Sequence, residues 1–559
     1  MNPDRAYIDR WLWVPKTLIN VNGTKAALTI YPQGSRGSPQ PIMLWKESED
    51  HLGVPRKYFN KGDLTCPVED LRPTSYTVTG IQSRILLDHK NTPHGLVPTG
   101  QAVQSEAIAA MYKGDGGILQ LGCGKGKTPV SLHYAALRQV PTLVVISDTY
   151  LLEQWKSEIE KHLVVPGGVG LIQGKNSEWQ KGLVLSTYHT IAMRSGEFSE
   201  EMRKWFGLII FEEAHHVNAP TFSTCAEAFY GERLALTATP IRTDGLHVIS
   251  DYTIGPVLYK DLSQELSAKI VFLWTGVAVQ DPNLIKDSLG EYHLSLISSY
   301  FATCKPRLLR TLQLIEEAYE QDRKILIIAN SKDEIVNLAM LWEKESLDMN
   351  NLYSEYTTGI KHIKNALLDA RTVKTLRRNL AGVVEKLESN PISATLLQRK
   401  EGLEERLAEH SKVESQLKAI EKSQRNSIRD FASTMKKSGL LVYDVDPKLR
   451  LKFIKERRVN FSIAKYGKEG LDDPALDTVI ATSLFTSKAT LQQLKGRTER
   501  YYEGKKNPVV VILEDNVSPC IAMCRKLRHH LNAGITSKEP YPYTMVGHPS
   551  LKNPNIAIF

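Results

Sequence analysis

The 559-residue chain has only six cysteines, with no Cys-x-x-C pair and no cysteine–histidine group at zinc spacing, so a zinc ribbon and a disulfide framework are both excluded. Cys520 and Cys524, one helical turn apart, read as small buried apolar side chains. No apolar run approaches the roughly 18 residues that a membrane span needs. Asp4, Arg5, Asp9 and Arg10 leave no room for a signal-peptide core, so the expected compartment is the cytoplasm, with no membrane partner. A large excess of one charge is missing too. With 71 Lys and Arg against 62 Asp and Glu, the net charge of +9 permits a polyanionic partner without demanding one. No carboxylate cluster with a neighbouring lysine stands apart from the motifs below, which argues against a nuclease.

What is present is organised around Gly117-Ile-Leu-Gln-Leu-Gly-Cys-Gly-Lys-Gly-Lys-Thr128. An apolar run short enough for a buried strand breaks into glycines, then Gly-Lys-Thr, then residues able to start a helix. Gly122, Gly124 and Gly126 let the backbone curl so that its N–H groups face phosphate oxygens, beside the positive end of the next helix. Lys127 supplies a point charge for the β- and γ-phosphates and Thr128 a hydroxyl ligand for Mg²⁺, with Lys125 in the same loop. Position 121 is Leu, so the strict G-x-x-x-x-G-K-T spacing is not met and the G-x-G-K-T core carries the reading: a site for ATP and Mg²⁺.

Downstream, Gly207-Leu-Ile-Ile-Phe211 runs into Glu212-Glu213-Ala-His-His216. Adjacent carboxylates at the end of a buried strand can divide two jobs, Glu212 holding Mg²⁺ and Glu213 polarising water. Leu234-Ala-Leu-Thr-Ala-Thr-Pro240 ends another strand in small hydroxyls, Thr237 and Thr239, suited to relaying nucleotide state.

In this order and separation the three stretches resemble motifs I, II and III of superfamily 2 helicases and translocases. Leu151-Leu-Glu-Gln-Trp155, Ser186-Thr187-Tyr188, Arg242 with Asp244, and Ile254-Gly-Pro256 resemble the XPB-type branch and its phage-encoded relatives, such as the UvsW group. The likeness spans roughly residues 98 to 515 apart from one insertion. Glu212 stands where that family usually has Asp. The resemblance implies a fold of two RecA-like parallel-sheet lobes in tandem. Lys324 to Ser331 is similar to motif IV and Val459 to Asp472, with Gly470 and Asp472, to motif V. Gln492 to Arg500 is similar to motif VI, in which Gln493, Arg497 and Arg500 are the implied catalytic members. Arginines three apart are expected to share one helix face and to reach the γ-phosphate together. Ser186, Thr187, Thr237, Thr239, Arg242, Gly470 and Asp472 are the implied nucleic-acid or coupling residues. A glutamine upstream of the phosphate loop is implied to read adenine. Gln101 and Gln104 both qualify, and Gln101 is preferred.

The length allows about three or four domains. The expected division is a β-rich accessory domain at 1–92, a first lobe at 93–266, and a second lobe at 267–360 and 441–535, followed by a tail at 536–559. A helical hairpin insertion at 361–440 interrupts that lobe and turns at Ser389-Asn-Pro391. In the accessory domain Tyr7 to Val14, Ala26 to Tyr31 and Ile42 to Trp45 read as strands. Arg56, Lys57 and Lys61 with Tyr58 and Phe59 fit either a nucleic-acid contact or a solvated basic loop. Pro508 to Leu513 is taken as the last strand. The charged insertion fits a DNA-guiding arm, a dock for a protein partner or a spacer.

The resemblance therefore implies an ATP-dependent DNA helicase or translocase acting on duplex, branched or single-stranded DNA. An RNA helicase is the first alternative. A nucleotide-gated clamp that hydrolyses little is the second, because Glu212 replaces the usual Asp.

Overall fold

The computed structural model describes residues 2–32, 40–92, 95–122, 124–219, 221–238, 245–263, 266–287, 289–344, 370–389, 391, 393–469, 473–483, 485–534, 540–549 and 557–559. The expectations placed on Cys123, Thr239, Arg242, Asp244, Gly470 and Asp472 lie outside them, as does part of the insertion. The chain divides into two compact units. One contains residues 1–269, 485–508 and 526–542, and the other residues 270–484, 509–525 and 543–559.

The first unit opens with a five-stranded sheet, β1 (Ala6–Ile8), β2 (Leu12–Pro15), β3 (Lys46–Glu47), β4 (His51–Val54) and β5 (Val68–Asp70), in the order β3-β4-β2-β1-β5. The strand expected over Ala26 to Tyr31 is shorter than that, because its first two residues end a helix. Val21–Ala27 is helical because the Asn20 side chain accepts the Gly23 N–H at 3.0 Å and caps it, which leaves only Thr29–Ile30 extended. Arg56 and Tyr58 of the basic loop form a seam to the rest of the unit. The Arg56 guanidinium donates to the Tyr230 and Gly231 carbonyls at 2.8 and 2.7 Å, and Tyr58 meets Phe59 and Tyr252 edge-on.

Next comes an eight-stranded sheet built from β6 (Gly117–Leu121), β7 (Thr142–Ile146), β8 (Gly170–Gln173), β9 (Asn176–Ser177), β10 (Leu183–Thr187), β11 (Leu208–Glu212), β12 (Glu232–Thr237) and β13 (Val257–Asp261). Its order is β9-β8-β10-β7-β11-β12-β6-β13, and every pairing is parallel except that of β9. The inner strands Gly-Ile-Leu-Gln-Leu, Thr-Leu-Val-Val-Ile and Leu-Val-Leu-Ser-Thr are buried along their whole length, as a parallel sheet covered on both faces requires. Helices α1 (Lys127–Arg138) and α2 (Thr149–His162) follow β6 and β7.

The second unit holds a seven-stranded sheet of β14 (Lys269–Trp274), β15 (Ile325–Ala329), β16 (Ser438–Leu441), β17 (Val459–Ile463), β18 (Thr478–Ala481), β19 (Val509–Glu514) and β20 (Tyr543–Val546). The order is β16-β17-β15-β18-β19-β14-β20, parallel from β16 through β19 and again between β14 and β20. The stretch read as a tail therefore contributes an edge strand, because Tyr543 to Val546 pairs residue by residue with Ile270 to Leu273. The Arg307 guanidinium is clamped inside this unit by Asp515 at 2.9 Å, Glu334 at 2.5 Å and the Thr482 carbonyl.

Helix α3 (Lys332–Lys344) follows β15. Before β16 the chain runs through α4 (Ala370–Ser389) and α5 (Ala394–Thr434), the expected helical hairpin. The Ser393 side chain caps α5 by accepting the Leu396 N–H. Leu376 and Val383 of α4 and Leu417, Ile428 and Ala432 of α5 are buried, and the intervening charges are largely exposed. Two parallel-sheet lobes in tandem, with an N-terminal β sheet and a helical insertion in the second lobe, are thus the architecture. Among the described residues, no helix is long and apolar enough to cross a membrane.

Candidate nucleotide site

The glycine loop joins β6 to α1. Gly124 and Gly126 both sit at φ +82°, a left-handed conformation that costs an L-residue about 1–2 kcal/mol. Space is short as well. A Cβ on Gly124 would lie 2.8 Å from the Arg500 Cγ, and one on Gly126 would collide with the Gln104 amide. The backbone angle therefore favours glycine at both positions, and at Gly126 the Gln104 side chain would also have to move aside. The Lys127 ammonium donates to the Leu121 and Gly122 carbonyls at 3.0 and 3.4 Å, which keeps it over the loop. Lys125 reaches the Asp261 carboxylate at 3.4 Å and the Gln101 Oε1 at 3.4 Å.

The two candidate glutamines are in different positions. Gln101 is exposed. Gln104 is knitted into the site: its amide oxygen accepts the Asp88 N–H at 2.7 Å, its own N–H donates to Asp88 Oδ1 at 2.7 Å, and its amide nitrogen donates to the Lys125 carbonyl at 3.4 Å. Asp88 takes a left-handed backbone, φ 59°, to meet it.

The acid pair stands at the carboxyl end of β11. Glu212 ends the strand, and its Oε2 accepts the Trp155 indole N–H at 3.1 Å. The Tyr188 hydroxyl donates to the Glu212 carbonyl at 2.8 Å. Burial, then the neighbouring Glu213, pushes the Glu212 carboxyl up to about 7, against the pull of Trp155, Lys127 and Arg497. Glu213 adopts φ 47°, a left-handed conformation rare outside glycine and asparagine, and its Oε2 lies 3.4 Å from His215 Nδ1. The backbone thus turns the second carboxylate away from the strand.

Arg497 is buried in α6 (Lys488–Thr498), and the Arg500 side chain lies over Gly124. The two do not share a helix face: α6 ends at Thr498, so Arg500 is beyond its last turn. Gln493 is half-buried on α6. Ser186, Thr187 and Thr237 are buried. Ser186 donates to the Ile172 carbonyl at 2.8 Å and Thr187 caps the following helix through the Thr190 N–H. Thr128 sits in the first turn of α1.

A nucleotide with Mg²⁺ fits this chemistry. The loop at Gly124 and Gly126 takes a left-handed backbone that favours glycine, and Thr128 and Glu212 are oxygen donors of the kind Mg²⁺ takes one or two of, leaving the rest to phosphate and water. Among the described residues no group of three His, Cys, Asp or Glu forms a metal cage of its own. Trp155, Tyr188, Asp88 and Asp261 were given no role in the sequence reading. Trp155 and Tyr188 carried a signal, through their places in Leu-Leu-Glu-Gln-Trp after a strand and in Ser-Thr-Tyr.

Residues 98–242 match the family model described as type III restriction enzyme, res subunit. Among curated proteins, 374 residues are 27% identical to a protein of Acanthamoeba polyphaga mimivirus whose name gives ATP-dependent RNA helicase L396 as an inferred activity. That match covers 62% of this chain and 67% of the relative. The DNA 3'-5' translocase XPB2 of Sulfurisphaera tokodaii is 37% identical over 30% of this chain and 37% of its own length. The DNA 3'-5' helicase XPB of Mycobacterium tuberculosis is 32% identical over 30% of this chain and 31% of its own. The chain thus spans about a third of the XPB relatives and two thirds of the viral one. A solved structure of Mss116p bound to ssRNA and AMP-PNP is 12% identical, covering 80% of this chain and 74% of that one, with a TM-score of 0.46.

Proposed function

We propose that this chain is an ATP-dependent DNA helicase or translocase working on duplex or branched DNA in replication, recombination or repair. The observation that carries the reading is the convergence on one glycine loop of the Glu212–Glu213 pair and the two arginines, Arg500 over Gly124 and Arg497 acting on the Glu212 carboxyl. Lys127 and the loop N–H groups hold phosphate, and Thr128 and Glu212 would hold Mg²⁺, which supplies charge neutralisation at the phosphates. Glu213 orients water, Arg497 and Arg500 stabilise the charge that grows on the transferred phosphoryl, and Gln104 rather than Gln101 borders the nucleotide. Thr237, next to the Gln120 strand position in the β6–β12 pairing, relays nucleotide state. Cycles of hydrolysis become steps along a phosphate backbone, with little base specificity.

The domain limits at 92, 266, 360, 440 and 535 belong to the same reading, as do a phage-encoded, UvsW-like origin and a host-cytoplasm location. The 374-residue match to the mimivirus protein favours RNA as a second substrate reading.

The test is the ATPase rate without nucleic acid and with single-stranded DNA, duplex, a four-way junction and RNA, with Lys127→Ala as control. Strong stimulation by DNA that vanishes in the variant supports the motor. Stimulation by RNA alone moves the substrate to RNA. ATP-dependent binding without stimulated hydrolysis leaves a nucleotide-gated clamp.

A further inference from the structure

Tyr541 lies in the stretch read as a tail, and it reaches the end of helix α6. Its hydroxyl donates to the Ala268 carbonyl at 2.6 Å and lies 2.8 Å from Ser267 Oγ and 3.3 Å from Glu499 Oε1. Burial pushes the phenol well above its ordinary range, so the hydroxyl keeps the proton that it donates. The Tyr541 N–H donates to the Leu531 carbonyl at 2.8 Å, which ties down the backbone behind the ring. The Lys495 ammonium covers the ring face, 4.5 Å from its centroid. Lys495 in turn lies 2.7 Å from both Glu499 carboxylate oxygens, and Glu499 Oε1 accepts the Ala268 N–H at 2.8 Å. Three segments far apart in the chain, 267–268, 495–499 and 541, thus meet at one carboxylate.

Lys495 and Glu499 are 5% and 1% exposed. Burying two charges is costly, and a packed apolar pair would hold the helix equally well. What the charged pair adds is direction, since a hydrogen bond fixes an angle as well as a distance. Direction matters here because α6 ends at Thr498, with Glu499 as its C-cap. Arg500 comes next, outside the helix, and its side chain still reaches over Gly124. Holding Glu499 from Ala268, Lys495 and Tyr541 sets the point from which Arg500 departs. On the other side the Lys505 ammonium donates to the Arg500 carbonyl at 2.8 Å.

We propose that Tyr541 is a positioning residue for ATP hydrolysis: by fixing Glu499 at the end of α6 it aims Arg500 at the phosphates held over the glycine loop. The proposal rests on the reading of Arg500 above, as a stabiliser of the charge that grows on the transferred phosphoryl. An arginine with that task acts in the transition state rather than on bound substrate, so misaiming it lowers kcat and spares KM. The C-terminal segment then has a part in the reaction.

The experiment measures steady-state ATP hydrolysis by the full chain for Tyr541→Phe, Arg500→Ala and the double variant, well below the melting temperature. Tyr541→Phe removes the hydroxyl and keeps the ring under Lys495. It is expected to lower kcat about fivefold, with KM and the affinity for a fluorescent ATP analogue unchanged. In the Arg500→Ala background the same change is expected to lower kcat less than about twofold, because the group that it positions is gone. Glu499→Gln, which removes the charge facing Lys495, is expected to show the same split and answers the question if Tyr541→Phe does not fold. If Tyr541→Phe lowers the melting temperature alone and leaves kcat at the wild-type value, or if its effect is as large without Arg500, Tyr541 is a structural tie and the proposal is wrong. If Arg500→Ala itself leaves kcat unchanged, or the wild type hydrolyses no ATP, the reading of Arg500 fails instead.

Discussion

The Trp155 indole N–H donates to Glu212 Oε2 at 3.1 Å, joining helix α2 to the last residue of strand β11. Of the influences on this buried carboxyl, burial and Glu213 favour the neutral form, while Trp155 is the first of those favouring the charged one. Trp155→Phe keeps the packing and removes the donor. The Glu212 carboxyl should then titrate at still higher pH, moving the acid limb of the kcat/KM profile for ATP upward. A hydrogen bond to a charged group contributes about 1.5–3 kcal/mol, so hydrolysis near neutral pH should fall at least about tenfold. A profile that stays in place would show that the bond serves packing alone.

The same carboxyl makes stability depend on pH. Its folded value of about 7 lies above the model value of 4.5, so between these pH values the folded state keeps a proton that the unfolded state has released. The contribution of this carboxyl is full below about pH 4.5, falls as pH rises, and is lost, by about 3 kcal/mol, above pH 7. Glu212→Gln carries no such charge. Thermal melting from pH 5 to 8 should therefore fall less steeply in the variant than in the wild type, and parallel curves would place the titration elsewhere.

A Cβ at Gly126 would meet the Gln104 amide, which a double-mutant cycle can read. Gln104→Ala removes the ties to Asp88 and to the Lys125 carbonyl and should weaken nucleotide binding about tenfold, while Gln101→Ala changes it less than about twofold. Gly126→Ala meets both an unfavourable φ of +82° and the Gln104 amide. Adding Gln104→Ala should relieve the collision but not the backbone strain, so the two effects are expected to be less than additive. Titration with a fluorescent ATP analogue provides the affinities, and strict additivity would deny the contact.

The inner strands were legible because Gly-Ile-Leu-Gln-Leu or Leu-Ile-Ile-Phe-Glu is apolar over the length of a strand and is followed by residues that must stop it. The hairpin was legible for the analogous reason: its apolar residues recur at helical spacing and Ser-Asn-Pro interrupts them. Edges were not. Tyr543 to Val546 is a four-residue strand with only Val546 buried, and its pairing partner β14 is more than 260 residues away in the chain. Nor can spacing distinguish Gln101 from Gln104, since the ties that hold Gln104 run through Asp88 and its left-handed turn. Arg497 and Arg500 were expected on one helix face, and α6 stops two residues too soon for that.

Arg56 is the residue whose sequence setting was most misleading, and its substitution separates the two readings of that loop. Its guanidinium donates to the Tyr230 and Gly231 carbonyls, and burial followed by the nearby Arg72 pulls its pKa down to about 10. Removing it leaves two carbonyls without those donors, so Arg56→Ala should destabilise the chain by about 3 kcal/mol. Its neighbour Lys57 reaches Asp115 at 3.5 Å with a quarter of its side chain exposed, and Lys57→Ala should cost less than about 1 kcal/mol. Urea unfolding of both variants checks the ranking. A seam residue lowers the midpoint and leaves nucleic-acid affinity per folded molecule unchanged. If Arg56→Ala instead melts like the wild type and binds nucleic acid more weakly, the loop faces ligand and the seam is not what holds the N-terminal sheet in place.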